Sequence, residues 1–443
     1  MTNKSRWSSR IHFILTTTGA AVGLGSIWKF PYMTGNNGGG AFILVLMLST
    51  ALIGLPIMIG EIMLGRIGQA NPITALKKLA LDNSHSSYWQ LLGWWGALGL
   101  LLVLSFYSVI AGWSIAYTFK TWTGQLSTLS ASQLSEFFQG FLSNPWELLF
   151  WHSIFIFMTL WVVTQGVQAG IEKASKFMMP ALLLIHIILV SYSAYIGDLT
   201  QTFSFFFKHD FSKLTPTVMI EALGQSVFSL AVGAGCMLTF GCYITENTRI
   251  GFTVCIIAAL ILLISLLSGL AIFPLVFAFA LAPDDGPGLM FKVLPIAFNQ
   301  MPFGTAFGGL FFLMLWFAAW TSSISMAEPL VIILQEKYQY TRLKSAIIIG
   351  IIAWILGSLA MLSFNCLENI QLFNRYTLFE AIVGLTTNII LPIGALGFSI
   401  FAGWLLPANI AKDTLQMQPI FFTIWQCLIR FIAPIGIIVI MLV

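Results

Sequence analysis

Long apolar runs joined by short polar connections make up most of this chain. A helix of about 20 apolar residues crosses a bilayer core. On that measure the runs predict eleven spans, near 11–35, 40–65, 92–120, 148–165, 176–197, 217–243, 250–281, 307–335, 345–364, 376–406 and 419–443. Two of them carry paired glycines at their centres: Ala21-Val22-Gly23-Leu24-Gly25 in span 1 and Ala231-Val232-Gly233-Ala234-Gly235 in span 6. Each glycine costs a helix about 1 kcal/mol relative to alanine, so both spans are expected to unwind there. An unwound backbone survives in hydrocarbon only where it is buried in protein or lines a cavity. Five spans separate the matched breaks, so the second copy starts in the opposite orientation. The expected architecture is an all-α integral membrane fold, an inverted five-plus-five repeat with broken helices 1 and 6. Residues 1–197 form the first repeat, 198–406 the second, and 407–443 an accessory span 11.

Composition agrees with the pattern. Apolar residues make up 58% of the 443 residues and charged residues 8%, with a mean hydropathy of +0.91, far from the roughly 25% charge of soluble domains. Thirteen Lys and Arg residues fall in loops on the N-terminal side and five on the other, which predicts a cytoplasmic N-terminus and a C-terminus on the opposite face. The net charge of +4 is spread over loops, so it gives no sign of nucleic-acid binding. The five cysteines lack metal-ligand spacing and read as small core residues. Nothing resembles a catalytic cluster of His, Asp and Glu, or a nucleophile with a credible base, and the chain reads as no enzyme.

A broken helix offers backbone N–H groups and a positive dipole end where its second half begins, and carbonyls where its first half stops. The former suit a carboxylate and the latter a cation. Matched interruptions in two halves of a polytopic chain point to a transporter's substrate site; close helix packing through small residues is the alternative.

The run Gly19-Ala20-Ala21-Val22-Gly23-Leu24-Gly25-Ser26-Ile27-Trp28-Lys29-Phe30-Pro31-Tyr32, followed by Asn37-Gly38-Gly39-Gly40-Ala41-Phe42, resembles span 1 of the neurotransmitter:sodium symporters. Within that family it is most similar to the bacterial, leucine-transporter-like amino-acid carriers. The likeness continues through Gly60-Glu61, Gly65-Arg66, Tyr107 to Trp113, Gly170-Ile171-Glu172-Lys173, Ala222 to Gly235, Thr321-Ser322-Ser323-Ile324 and Asn388 to Pro392.

The resemblance implies a sodium site between spans 1 and 8 built from Gly19, Val22 and Ala318 carbonyls with the Thr321 and Ser322 hydroxyls. A Thr-Ser-Ser triplet can instead bond back to its own helix. The family's other sodium site maps to Ala21, Ser26 and Ser229. There Ser26 replaces the usual span 1 Asn, and Ile261 stands where span 7 usually brings an Asn or Asp. An oxygen-only site that loses such a ligand is weakened, so one sodium ion is expected to dominate coupling. The neighbouring chloride site keeps Gln225, Ser229 and Ser265 but has Leu46 in place of its tyrosine, which leaves chloride in question. The implied substrate site comprises Ala20, Ala21, Leu24, Gly25, Val103, Tyr107, Phe228, Ser229, Ala231, Ala234, Ser322 and Met326, with Phe228 as lid. Gly23 stands where amine carriers of the family have an Asp, which argues for a substrate bringing its own carboxylate.

For gates, Lys29 pairs with Glu380 on the outer side, and Trp7 with Lys4 or Arg6 latches against Glu336 on the inner side. Gly170 and Pro180 match a motif that lets span 5 unwind. Glu61 is expected to accept hydrogen bonds from the broken backbone of span 6. Glu328 is a buried acid, a proton carrier or an exit-path residue, and His186 a packed neutral histidine. The expected function is sodium-coupled symport of a neutral, large hydrophobic or aromatic amino acid by alternating access, in the bacterial inner membrane, as monomer or homodimer. A proton-coupled or sodium-independent carrier of the same fold, or a non-transporting amino-acid sensor, are the alternatives.

Overall fold

The computed structural model describes residues 6–208, 211–245, 247–281, 288–372 and 375–442. Among these, nine helices are long and apolar enough to cross a membrane: Gly40–Gly68, Ser87–Trp122, Pro145–Thr164, Val167–Ile196, Ile250–Ala278, Gly304–Tyr338, Arg342–Leu362, Leu378–Leu405 and Pro419–Leu442. They coincide with the expected spans 2–5 and 7–11. Span 1 is a bent pair, Arg10–Ala21 and Gly25–Asn36, with 60° between the halves. Span 6 is divided more severely, into Pro216–Ser229 and Cys236–Cys242. Neither piece is long enough to cross alone, so span 6 of the sequence pattern exists only as two half-helices.

The breaks follow from the glycines. Val22 takes an extended conformation (φ −78°, ψ 94°) and ends the first half of span 1. In span 6, Ala231, Gly233 and Gly235 all have positive φ (52°, 92° and 76°), which is cheap only for glycine. Gly233 is also needed for close approach: a Cβ there would sit 2.4 Å from the Leu391 carbonyl oxygen of span 10. The freed backbone then needs buried partners. Glu61 of span 2 supplies one, accepting the Gly233 N–H at 2.6 Å.

Spans 3 and 8 form the centre of the bundle, with 83% and 72% of their most apolar stretches enclosed by protein, against 22% for span 11. Outward-facing Trp146, Phe157, Trp161 and Phe431 are exposed, as lipid-facing side chains should be. Trp7 is buried against the bundle and donates from its indole to the Phe240 carbonyl at 3.1 Å. That contact ties the segment around Trp7 to the second half of span 6.

Candidate functional site

The two breaks face each other across spans 3 and 8. Tyr107 of span 3 accepts the Leu24 N–H at 3.0 Å, so its hydroxyl lies at the start of the second half of span 1. Ser322 of span 8 donates towards the carbonyls of Gly19 (3.2 Å) and Val22 (3.3 Å) at the end of the first half. Gly23, between them, leaves no room for a side chain: a Cβ would lie 2.3 Å from Tyr107 Oη and 2.6 Å from Ser322 Oγ.

The oxygens expected to hold sodium are thus gathered in one place. Thr321 Oγ1 donates to its own helix, at 3.0 Å to the Ala318 carbonyl and 3.2 Å to that of Phe317. Ser322 crosses to span 1 instead. Gly19 joins the two groups, since a Cβ on it would meet Thr321 Cβ at 3.2 Å. The donor set is three main-chain carbonyls and two hydroxyls, all hard and uncharged, which fits a small monovalent cation. Both hydroxyls now direct protons at the carbonyl oxygens. A cation would turn those protons outward and use the same oxygens.

Beside this cluster lies a cavity of about 60 Å³. Of the expected substrate residues, Ala20, Ala21, Gly25, Val103, Tyr107, Phe228, Ala231, Ala234, Ser322 and Met326 line it. Leu24 borders the outer vestibule instead, and Ser229 is turned into its helix, donating to the Ser226 carbonyl at 3.3 Å. Leu100, Val232, Cys236 and Leu391 also line the cavity. Leu100 was readable from the sequence: it precedes Tyr107 by seven residues, two turns along the face that also carries Val103. Among the described residues the lining holds no Asp, Glu, Lys, Arg or His.

Above this cavity opens a vestibule of about 600 Å³. Gly25, Tyr107 and Phe228 line both spaces, so these residues form the partition. The Phe228 ring lies close against Gly25, where a Cβ would come within 2.9 Å of its Cε1. Lys29 holds its Nζ 4.9 Å from the Phe228 ring centroid, a cation–π contact on the residue expected to be the lid. Glu380 and Glu368 face the same vestibule, but Glu380 does not reach Lys29. Its carboxylate accepts from the Thr377 N–H at 2.9 Å and Thr377 Oγ1 at 3.0 Å, as the capping box of span 10. Glu221 of span 6 is likewise engaged elsewhere, accepting from Asn37 at 2.8 Å.

Around the other expected sodium position, Ser26 is fully buried and its hydroxyl makes no hydrogen bond. Gln225 donates to the Gly25 carbonyl at 3.0 Å, and its Oε1 is unpartnered. Ile261 is buried and contributes a carbonyl that accepts from Ser265 at 3.0 Å. Leu46 is buried as well.

The face that carries the N-terminal segment departs from expectation. Glu336 does not meet Trp7; it accepts from the Asn71 N–H and Nδ2, both at 2.8 Å, because Asn71 caps the helix Pro72–Asp82 directly opposite. Lys4 lies outside the described residues, and Arg6 is engaged through its carbonyl, by Gln168 at 2.6 Å. The N-terminal segment is held by Glu172, which takes the Ser8 N–H at 3.0 Å, the Ser8 hydroxyl, and His12 Nδ1 at 2.8 Å. Glu172 ends the widened turn Val167–Glu172 that opens span 5. Pro180 lies within the helix that follows, so the latch sits on the segment expected to unwind.

A second network on the same side is centred on a fully buried carboxylate, Glu328, whose partner Arg342 keeps 20% of its side chain exposed. Glu328 of span 8 forms an ion pair with Arg342 at the start of span 9 and accepts from Tyr243 at 2.8 Å. Arg342 also donates to the Val163 carbonyl at 2.6 Å. This engagement ties spans 4, 6, 8 and 9 together. His186 likewise has both ring nitrogens in contact, with the Leu182 carbonyl at 2.9 Å and Ser268 at 3.0 Å.

Comparisons with known proteins agree with this geometry. The sequence profile of the sodium:neurotransmitter symporter family matches residues 4–136 and 131–443. The chain is 39% identical over 445 residues to an uncharacterised sodium-dependent transporter, YhdH, of Bacillus subtilis (strain 168), covering 99% of this chain and 97% of that one. It is 33% identical to an uncharacterised sodium-dependent transporter of Haemophilus influenzae, covering 99% and 98%. Its fold superposes on the crystal structure of MhsT in complex with L-phenylalanine with a TM-score of 0.92, at 37% identity and 99% coverage of both chains. A transporter fold with spans 1 and 6 broken around a shared cavity, and a profile match over essentially the whole length, place this chain in the sodium:neurotransmitter symporter family.

Proposed function

We propose that the chain is a sodium-coupled symporter of a neutral amino acid with a large hydrophobic or aromatic side chain, working by alternating access in a bacterial plasma membrane with its N-terminus cytoplasmic. The observation that carries this reading is Ser322, whose hydroxyl reaches both the Gly19 and Val22 carbonyls beside a cavity with no charged lining. A charged side chain entering that cavity would be desolvated without a partner. The substrate's carboxylate has a receptor in Tyr107, whose hydroxyl accepts from Leu24 and keeps its proton to donate. The similarity to a protein solved with L-phenylalanine supports the same substrate class.

In this reading sodium enters the five-oxygen cluster first and stabilises the arrangement of span 1 against span 8. Substrate then packs under Phe228, and the partition between cavity and vestibule closes. Release follows when the Glu172 latch opens and span 5 unwinds over Val167–Glu172. Each charge carried across 100 mV contributes about 2.3 kcal/mol to the cycle. One sodium ion is coupled, because the second position offers Ser26 and buried Ile261 where two amide or carboxylate oxygens are needed. The engagement of Glu328 by Arg342 and Tyr243 disfavours it as a proton carrier.

The test is uptake of labelled phenylalanine, leucine, alanine, glutamate and lysine into proteoliposomes with sodium or potassium outside. Saturable, sodium-dependent uptake of phenylalanine or leucine, with glutamate and lysine excluded, is the expected result. Ser322→Ala should raise the sodium concentration for half-maximal uptake about tenfold or more, an interaction with a charged group being worth about 1.5–3 kcal/mol. Uptake driven equally by a proton gradient in potassium would refute sodium coupling.

A further inference from the structure

A further cavity lies apart from the transport path, on the side of spans 2, 7 and 11. Its volume is about 390 Å³, and apolar side chains including Leu55, Ile59, Phe252, Ile424 and Leu428 line it. The linker residues Leu415–Gln418 close one end. Met417 packs so tightly there that a Cβ on Gly251 would meet its Cε at 2.1 Å. An apolar groove of this kind, open to the bilayer, accepts an acyl chain.

Its mouth is positive. Arg249 is exposed and is the only charged residue among the described residues that line the groove. Arg10 reaches the same rim from span 1: its Nε donates to Thr253 at 3.0 Å, and its guanidinium stacks 5.1 Å from the centroid of the Phe252 ring. Between the two arginines, span 7 begins at Ile250 with no side-chain cap and no acidic residue in its first turn. The start of this 29-residue helix, with its free amides and positive dipole end, thus lies at the groove, whose lining includes Arg249 and Gly251. Three independent features converge there: an apolar slot, two guanidinium groups and an uncapped helix start. The mouth is on the N-terminal face, as the Trp7 N–H to Tyr243 carbonyl bond at 3.0 Å fixes.

We infer that this groove is a binding site for an anionic phospholipid of the leaflet on the N-terminal face. The phosphate sits on Arg249, Arg10 and the start of span 7, and an acyl chain lies between Ile59, Phe252 and Ile424. Basic pockets between membrane helices recognise such headgroups. The bound lipid would join span 1 to span 7 and to the 415–418 linker, independently of what the carrier transports.

The experiment uses the full chain in nanodiscs of phosphatidylglycerol or phosphatidylcholine with identical acyl chains. Retained lipid is counted by native mass spectrometry, and alkylation of Cys255, which lines the groove, is followed against Cys427, which is exposed but is not among the groove's lining residues. Phosphatidylglycerol should be retained preferentially and slow Cys255 alkylation about fivefold, with Cys427 unchanged. Arg249→Gln should reduce the preference about fivefold, the effect of about 1 kcal/mol per arginine at a membrane surface, and Arg249→Lys should restore much of it. Equal retention of the two lipids would overturn the proposal. So would a phosphatidylglycerol preference indifferent to Arg249→Gln and Arg249→Lys, or equal protection of Cys255 by inorganic phosphate in phosphatidylcholine.

Discussion

Arg342→Ala should abolish concentrative uptake and leave the carrier open on its N-terminal face. Arg342 neutralises Glu328, a carboxylate with no exposed surface, and its Nε holds the Val163 carbonyl at 2.6 Å. Removing one partner of a buried pair strands the other charge, at a cost of about 3–5 kcal/mol. The cheapest relief is for water to reach Glu328, which means separating spans 4, 6, 8 and 9 at their inner ends. A shift of that size moves the equilibrium between a closed and an open N-terminal face by a factor of about 10² to 10⁴. Cys236 and Cys242, both buried in the second half of span 6, report the change. Their alkylation by a polar reagent from the N-terminal side should rise by at least tenfold while uptake is lost. Replacing both charges, Glu328→Leu with Arg342→Leu, should recover folding and part of the closure, because a well-packed apolar pair often matches a buried ion pair. Unchanged cysteine protection in Arg342→Ala would show that this network does not hold the inner face.

Gly23→Ala should eliminate substrate binding without unfolding the protein. The added methyl would sit 2.3 Å from Tyr107 Oη and 2.6 Å from Ser322 Oγ. Ser322 can rotate away, but then it leaves the Gly19 and Val22 carbonyls. Tyr107 cannot rotate its oxygen aside without releasing the Leu24 amide. Overpacking of this kind costs about 1–3 kcal/mol of stability, which a large membrane bundle tolerates. The loss falls on binding, because the proposed carboxylate receptor and a proposed sodium ligand are displaced together. Equilibrium binding of labelled phenylalanine should weaken by two orders of magnitude or more, with the thermal unfolding midpoint nearly retained. Gly224→Ala is the control, since a Cβ there meets nothing within 4 Å. Equal binding in both variants would mean that the Gly23 contact does not shape the site.

How much of this could be read from the chain depends on how local each signal is. The breaks were readable because two glycines in the middle of an apolar run have few other uses. The same run hid the extent of the break in span 6, which reads as one 27-residue segment near 217–243 and folds as helices of 14 and 7 residues. Glu61 was readable as the acceptor for that break, being an acid isolated in hydrocarbon. The pairings on the inner face were not. Glu172 meets Ser8 across 164 positions and Glu336 meets Asn71 across 265, and neither periodicity nor spacing marks such partners. Glu336 is drawn to the Asn71 cap rather than to Trp7, which the carbonyls of span 6 already occupy. Glu380 serves the start of its own helix for a similar reason: Thr377 is three residues away, and Lys29 lies on another span.

The central claim is that one sodium ion, held by Gly19, Val22, Ala318, Thr321 and Ser322, drives this carrier. Equilibrium binding of labelled phenylalanine to the purified protein, with sodium titrated against potassium, tests it most directly. A sodium Hill coefficient near one, with sodium sensitivity reduced by Ser322→Ala and unaffected by Ser26→Ala, is the result the account predicts. A coefficient near two, or binding indifferent to sodium, would contradict it.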